Sequence, residues 1–246
     1  MSDLGTTVVV GASRGLGRGI ARAFADAGAP VVAVARSGAA LAELAAGRAN
    51  IQIEIADAAE ATTAGFLLDR CDPRNLIVVA GANPLPRPLP RHTWETFSVN
   101  WEADVKIAFH WLREALLRPL RPGSRVIVIS SGAALAGSPL SGGYAGAKAT
   151  QRFITGYARD EAERAGLGIA FTAVLPKITP LTGLGRPAVR AYAARAGQTE
   201  DEYLRSMGEP LSPETAGAAL LDLAAADPAT LAPGYLLTGS GLRQLP

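Results

Sequence analysis

The sequence is poor in cysteine and lysine, and both shortages exclude classes of function. Its one cysteine, Cys71, can form no intramolecular disulfide and has no companion ligands for a metal. The three lysines, Lys106, Lys148 and Lys177, form no basic run of the kind that binds nucleic acid. We therefore expect neither a metal site nor a nucleic-acid partner, and each lysine becomes worth examining.

Long apolar runs are also missing. No segment reaches the roughly 20 residues that a membrane-spanning helix needs, and Asp3 stands where a secretion signal would carry positive charge. We expect a cytoplasmic protein with no membrane partner. The 246 residues are 48% hydrophobic with a formal net charge of +2, which is an ordinary globular composition with enough apolar residues for a sizeable core.

Predicted strands and helices alternate along the chain. Apolar, β-branched runs predict seven strands, at 6–10, 30–35, 51–55, 76–80, 125–130, 168–175 and 234–239. Helical spacing occupies 15–28, 38–46, 58–70, 93–117 and 142–166. Continuous apolar strands indicate an α/β fold with a doubly wound parallel sheet, which we expect to form one domain over 1–246. Ligands bind at the carboxyl ends of such strands. Segment 179–211 breaks the alternation, so we expect a lid over the site.

The first predicted strand runs into GASRGLG at 11–17, which contains Gly11, Gly15 and Gly17. Glycine lets a backbone turn sharply and approach a pyrophosphate, whose charge then faces the N-terminus of the next helix. A glycine pattern alone is weak, but this one ends a strand, opens a helix and starts a βαβ unit. It predicts a dinucleotide phosphate site, although the spacing is G-x-x-x-G-x-G rather than G-x-G-x-x-G.

Tyr144 and Lys148 stand four residues apart in YAGAKATQRF. Side chains at this spacing lie on one face of a helix. A nearby ammonium favours the phenolate form of tyrosine, so Tyr144 could act as an acid or a base near neutral pH. Most such pairs are ordinary surface neighbours. The glycine loop, and a serine upstream of the tyrosine, favour a catalytic role.

These motifs, in this order and separation, make the sequence resemble the short-chain dehydrogenase/reductase family, of NADP-type ketoreductase kind, over essentially its whole length. The resemblance implies a Rossmann fold and the catalytic residues Asn100, Ser131, Tyr144 and Lys148. Ser131, thirteen residues before Tyr144, would position the substrate oxygen, with Ser130 as the competing choice. The Asn100 carbonyl would hold a water beside Lys148. Lys148 would also bind the nicotinamide ribose.

Two arginines decide which dinucleotide the resemblance implies. The second strand ends in Ala35, Arg36 and Ser37, without the carboxylate that binds a free ribose 2′-hydroxyl. Arg14 lies in the glycine loop, and an arginine fork matches a phosphate well. NADP(H) is therefore the expected cofactor. The implied cofactor-binding residues are Gly11, Ser13, Arg14, Gly15, Leu16, Gly17, Arg36, Glu54, Ile55, Ala80, Gly81, Tyr144, Lys148, Pro176, Ile178 and Thr179.

The adenine contact has two candidates. In the family an aspartate near the end of the third strand often meets the adenine amine, and Glu54, followed by Ile55, aligns there. Asp57 is the alternative, but it could instead cap the helix that begins near Ala58.

The sequence departs from the family pattern at two strand ends. Val78 and Val79 replace two asparagines at the end of the fourth strand, where Asn83 could substitute in part. Lys177 follows Pro176 where the family has glycine, which adds a cation on the substrate side.

The resemblance implies an NADPH-dependent carbonyl reductase or alcohol dehydrogenase, forming a homodimer or homotetramer through its long helices. Its substrate would be a small ketone or secondary alcohol. Two alternatives stay open. One is a non-catalytic NADP-binding sensor or scaffold, suggested by the altered strand ends, and the other is an epimerase or dehydratase of the same family.

Overall fold

One sheet contains all eight strands of the computed structural model, which describes residues 4–246; Asp3 lies outside that range. The strand order is β3-β2-β1-β4-β5-β6-β7-β8. The strands are Thr7–Val10 (β1), Val31–Ala35 (β2), Ile51–Ile55 (β3), Asn75–Val78 (β4), Arg125–Ile129 (β5), Ala170–Pro176 (β6), Gly234–Thr238 (β7) and Gly241–Gln244 (β8).

The first seven strands are parallel, which confirms the predicted doubly wound sheet. The eighth was not predicted. It pairs antiparallel with β7 through a tight hairpin at the sheet edge, where Gly241 has φ 103°. Its short sequence GLRQ lacks the apolar run that marks the buried strands.

Helices cover both faces of the sheet. They are Gly15–Asp26 (α1), Gly38–Ala45 (α2), Ala61–Cys71 (α3), Trp94–Asn100 (α4), Lys106–Leu117 (α5), Ala133–Ala136 (α6), Tyr144–Arg164 (α7), Gly185–Arg195 (α8), Glu200–Met207 (α9) and Pro213–Ala225 (α10). The predicted helix at 93–117 is interrupted by a π-helical turn at Trp101–Val105. Such turns often occur at functional sites.

The two large apolar cores, one on each face of the sheet, follow from the period-2 alternation of side chains along each strand. Val9 and Ile77 point to the face covered by α1, α2 and α10, where Phe24 and Leu220 are fully buried. Val8, Val10 and Leu76 point to the opposite face, against α3, α5 and α7. The sheet is thereby fixed from both sides, and its strand ends are left to form a site. Within residues 4–246, no helix combines the length and the apolar character needed to cross a bilayer.

Candidate active site

A cleft of about 1440 Å³ lies along the carboxyl ends of the parallel strands. It includes the ends of β1 and β4, between which the strand order reverses, and this is where doubly wound sheets bind ligands. The structure brings most of the predicted site residues to this cleft. Those that line it are Gly11, Ser13, Arg14, Gly15, Leu16, Gly17, Arg36, Ala80, Gly81, Ser131, Tyr144, Lys148, Pro176, Ile178 and Thr179.

The glycine loop between β1 and α1 has no room for side chains at two positions. Gly11 has φ 95°, and a Cβ there would lie 2.6 Å from the backbone nitrogen of Ala80. A Cβ on Gly17 would lie 2.2 Å from the Gly11 carbonyl oxygen. The loop therefore keeps bare backbone against the cleft and leads directly into the first turn of α1, whose N–H groups favour an anion.

The two predicted phosphate arginines line the same end of the cleft. Arg14 donates from Nη2 to Asn83 Oδ1 at 3.3 Å, which spans the gap between the glycine loop and the chain after β4. Arg36 is exposed and its Nη1 lies 3.9 Å from Asp57 Oδ2. Both guanidinium groups can thus reach a ligand at this end.

Glu54 and Ile55 do not lie among the cleft residues. The Glu54 carboxylate accepts hydrogen bonds from Gln52, at 2.7 Å, and from Arg70, and it is directed away from the cleft by these partners. The residues that follow β3, Ala56, Asp57 and Ala58, line the cleft instead. Asp57 Oδ1 also accepts the backbone N–H of Ala59 at 2.9 Å. Of the two candidates for the adenine contact, Asp57 lines the cleft and Glu54 does not.

Tyr144 and Lys148 occupy the first two turns of α7. The Lys148 ammonium lies 5.6 Å from the centroid of the Tyr144 ring, and the lysine is 4% exposed. Two serines directly follow β5 nearby. The Ser130 hydroxyl is buried and donates to the Lys148 carbonyl at 2.7 Å, whereas Ser131 Oγ accepts the Ala133 N–H at 3.2 Å. Within residues 4–246 the Ser131 hydroxyl donates no hydrogen bond, whereas the Ser130 hydroxyl donates to the backbone.

Asn100 lies behind the cleft and does not line it. The residue is fully buried at the end of α4. Its Nδ2 donates to the Ala82 carbonyl at 2.9 Å and to Asp104 Oδ1 at 3.1 Å. Asn100 thus ties the chain after β4 to the π-helical turn, next to the buried side of Lys148.

Sequence reasoning missed two polar residues that contact Lys148. Its Nζ lies 3.1 Å from Asp104 Oδ2, donates to Gln151 Oε1 at 2.9 Å and donates to the Ile129 carbonyl at 3.2 Å. Asp104 and Gln151 are each 1% exposed. The available signal was their spacing, four residues after Asn100 and three after Lys148, which places both on buried helix faces.

The residues that depart from the family pattern, Val78, Val79 and Lys177, are accommodated in the sheet and beside the cleft. Val78 is buried in the middle of the sheet, and the Val79 N–H donates to the Val10 carbonyl at 2.8 Å. Lys177 is exposed and lines the cleft, while its backbone N–H donates to the Leu237 carbonyl. The valines keep the backbone ladder intact without side-chain hydrogen bonds.

Segment 179–211 lines one side of the cleft and reaches the glycine loop, where Thr182 lies beside Gly15. It forms two short helices, α8 and α9. The Tyr192 hydroxyl hydrogen-bonds Ser138 Oγ and accepts the Leu140 N–H at 3.2 Å, which connects the segment to the opposite wall. Burial raises the pKa of Tyr203, and the electrostatic effect of Tyr192 raises it further, so this phenol stays neutral inside the cleft.

Comparisons with known proteins agree with this geometry. The family model described as short chain dehydrogenase matches residues 5–193. A short chain dehydrogenase from Mycobacterium avium is 21% identical, with a TM-score of 0.76 over 99% of this chain and 85% of that one. A variant of actinorhodin polyketide ketoreductase, solved with NADPH, is 19% identical, with a TM-score of 0.80 over 96% of both chains. No curated protein matches the sequence.

At these identities the solved structures establish the likeness of fold. The family model covers well over half of the chain, and the doubly wound sheet, glycine loop and Tyr144–Lys148 pair are those expected of its members. The chain belongs to the short chain dehydrogenase family, whose members are oxidoreductases that use a nicotinamide cofactor and act on small molecules.

Proposed function

We propose that the protein is an NADPH-dependent carbonyl reductase that interconverts a ketone and a secondary alcohol. One observation carries the proposal. A single cleft holds the glycine loop at one end and Ser131, Tyr144 and Lys148 farther along. A dinucleotide fits this arrangement because the loop has space for backbone but not for a Cβ at Gly11 or Gly17. The NADPH-bound ketoreductase of similar fold is in keeping with it.

Each of the site residues has its own role in the proposed reduction. When bound, the reduced nicotinamide supplies the hydride that reaches the carbonyl carbon. Tyr144 donates its hydroxyl proton to the carbonyl oxygen, and Ser131 donates a hydrogen bond to the same oxygen, which stabilises the charge that builds there. Lys148 supports the phenolate that remains on Tyr144 by its positive charge. Asn100 holds the backbone behind Lys148 through its amide.

The choice of NADPH rests on the exposed guanidinium groups of Arg14 and Arg36 at the phosphate end. Exchanging Arg36 for glutamine removes the charge and the guanidinium fork while it keeps a polar side chain. We expect Arg36→Gln to weaken NADPH binding by about tenfold and to leave NADH binding unchanged. Arg243→Gln, an exposed arginine on the edge strand β8, is the matched control. Tighter binding of NADH than of NADPH to the wild-type protein would contradict the assignment.

Turnover is tested by following NADPH oxidation against a panel of ketones. We expect the wild-type protein to consume NADPH with some of them, and Tyr144→Phe to lose about 10²- to 10⁴-fold in kcat with unchanged NADPH affinity. Tyr157→Phe, on the exposed face of the same helix, should keep full activity. NADPH binding without turnover on any ketone or alcohol would favour the sensor or scaffold alternative, and full activity of Tyr144→Phe would refute the role of the tyrosine.

Segment 179–211 is proposed as the substrate lid, supported by the residues it contributes to the cleft. A homodimer or homotetramer is proposed through α5 and α7. Exposed aromatic side chains on these helices, Phe109, Phe153 and Tyr157, favour such contacts, because each is half or more exposed in the single chain. Light scattering of the purified protein measures the assembly directly.

A further inference from the structure

A buried carboxylate lies against the lysine that the proposed reaction uses, and that reaction gives it no part. Asp104 is 1% exposed, and its Oδ2 lies 3.1 Å from Lys148 Nζ. Within residues 4–246 this oxygen accepts no hydrogen bond, so the ammonium meets it as a charge. A buried ion pair of this kind is stabilising only where both partners are held in place.

The surrounding chain holds the Asp104 carboxylate in place. Its Oδ1 accepts the Ala82 N–H at 2.8 Å and the Asn100 amide at 3.1 Å. A Cβ on Gly81 would lie 2.6 Å from Oδ2, so the carboxylate fills the space beside that glycine. Gln151 completes the arrangement, since its Nε2 donates to the Asp104 carbonyl at 2.7 Å. The negative charge is thereby fixed next to the ammonium.

A fixed negative charge at this position opposes the effect of Lys148 on Tyr144. The ammonium favours the phenolate, whereas a neighbouring carboxylate disfavours it, and both effects are strong where water is excluded. We propose that Asp104 is a positioning residue that holds Lys148 and offsets part of its charge, so that Tyr144 keeps its proton to a higher pH than Lys148 alone would allow. The protonated form of Tyr144 is the form that donates to a carbonyl oxygen in the proposed reduction. The inference rests on the proposed function only for this last step.

Gln151 provides a way to reverse the sign of the effect. Its Oε1 accepts from the same ammonium at 2.9 Å, so Gln151→Glu adds a carboxylate of nearly the same shape there. Asp104→Asn removes a charge at equal size, and the double variant moves the charge from one side of the ammonium to the other. Each substitution replaces a side chain by its isostere, so the buried volume stays constant; Gln151→Glu also removes the hydrogen bond from Nε2 to the Asp104 carbonyl.

Other ionisable groups surround this part of the cleft and are unchanged in the Asp104 and Gln151 variants. They are Glu102 on the π-helical turn, Lys177 after β6, Tyr192 and Tyr203 on α8 and α9, Glu209 beyond α9, and His92, which packs against Gly142. Arg14, Arg36 and Asp57 lie at the phosphate end.

The experiment follows phenolate formation at Tyr144 by ultraviolet difference spectroscopy, with each protein compared against its own Tyr144→Phe counterpart. We expect Asp104→Asn to lower the midpoint of the titration by about one pH unit, Gln151→Glu to raise it by a similar amount, and the double variant to return to within about 0.3 pH unit of the wild type. Glu102→Gln, which removes an exposed carboxylate from the same π-helical turn, should shift it by less than about 0.3 unit.

Equal midpoints in all proteins, or a midpoint that rises in Asp104→Asn, would overturn the inference. If Asp104→Asn does not fold by circular dichroism, Gln151→Glu carries the test alone. The titration needs no substrate, so it is independent of the proposed function. Midpoints that shift as expected in a protein with no turnover would refute the reductase and leave the role of Asp104 standing. Turnover in proteins whose midpoints do not shift would support the reductase and refute the role of Asp104. In an active protein, the acid limb of kcat/KM for alcohol oxidation should move with the titration.

Discussion

Two regions next to the cleft are built in different ways. The polar floor, which we define as Asn100, Asp104, Lys148 and Gln151, is at most 4% exposed and is joined by mutual hydrogen bonds and one ion pair. The cover, which is segment 179–211, consists mainly of two short helices, and α9 buries none of its residues. Burial makes each floor residue depend on its neighbours, whereas the cover is held by local caps and a few contacts. Changes in the floor should therefore spread, and changes in the cover should stay local.

The largest expected effect is the removal of the floor's positive charge. Lys148→Met leaves the Asp104 carboxylate buried without its counter-ion, which we expect to lower the free energy of unfolding by about 3–5 kcal/mol. Denaturant titration measures this. Lys106→Met, an exposed lysine at the start of α5, is the control and should change little. The double variant Lys148→Met/Asp104→Leu should recover most of the loss, because an apolar pair replaces the ion pair. A single variant as stable as the wild type would show that the floor is not held by this pair.

The same substitution, glycine to alanine, can be made beside the floor and in the cover, so it compares the two regions directly. A Cβ on Gly81 would press into the Asp104 carboxylate at 2.6 Å, whereas a Cβ on Gly183, in the cover, meets nothing within 4 Å. We expect Gly81→Ala to cost about 1–3 kcal/mol and to lower activity, because Asp104 must move. Gly183→Ala should stay within about 0.5 kcal/mol of the wild type. Thermal unfolding of the two variants side by side decides the matter, and equal losses would contradict the difference between floor and cover.

The same comparison shows what the sequence could predict. The parallel strands and the glycine loop are local patterns, since a β-branched run or a turn before a helix is written in consecutive residues. Tyr144 and Lys148 share one helix and could be paired from spacing alone. Asp104 belongs to another helical segment, 44 residues before Lys148, and only the packing of α5 and the π-helical turn against α7 brings the charges together. The π-helical turn itself leaves no clear mark, because WEADV would suit an ordinary helix equally well.

A smaller effect is expected where the cover meets the opposite wall. The Tyr192 hydroxyl hydrogen-bonds Ser138 and accepts the Leu140 N–H. Tyr192→Phe removes these bonds, and a typical hydrogen bond contributes about 0.5–1.5 kcal/mol. We expect a raised KM with a nearly unchanged kcat, since the cover would close less often while the floor is unaffected. Steady-state kinetics test this, with Tyr157→Phe as the control on α7. A lower kcat at constant KM would instead place Tyr192 in the chemical step.

The smallest effect concerns the cap of α9. Glu202 Oε2 accepts hydrogen bonds from the Thr199 N–H and from the Thr199 hydroxyl, both at 2.8 Å. Both bonds lower the pKa of Glu202, and the backbone bond has the larger effect. Because the pKa of Glu202 is lower in the folded protein, its charged cap stabilises the helix at pH values above the ordinary carboxyl pKa of about 4.3. This stabilisation is lost as the pH falls through the pKa that Glu202 has in the folded protein.

We expect the hydrogen-exchange protection of residues 200–207, corrected for intrinsic rates, to fall severalfold over that acidic range, while the protection of α7 stays constant. In Glu202→Gln the side chain cannot ionise, so the pH dependence should vanish. If α7 lost protection in parallel with α9, the cover and the floor would be unfolding as one unit. If Glu202→Gln kept the wild-type pH dependence, a different acid would control the cap.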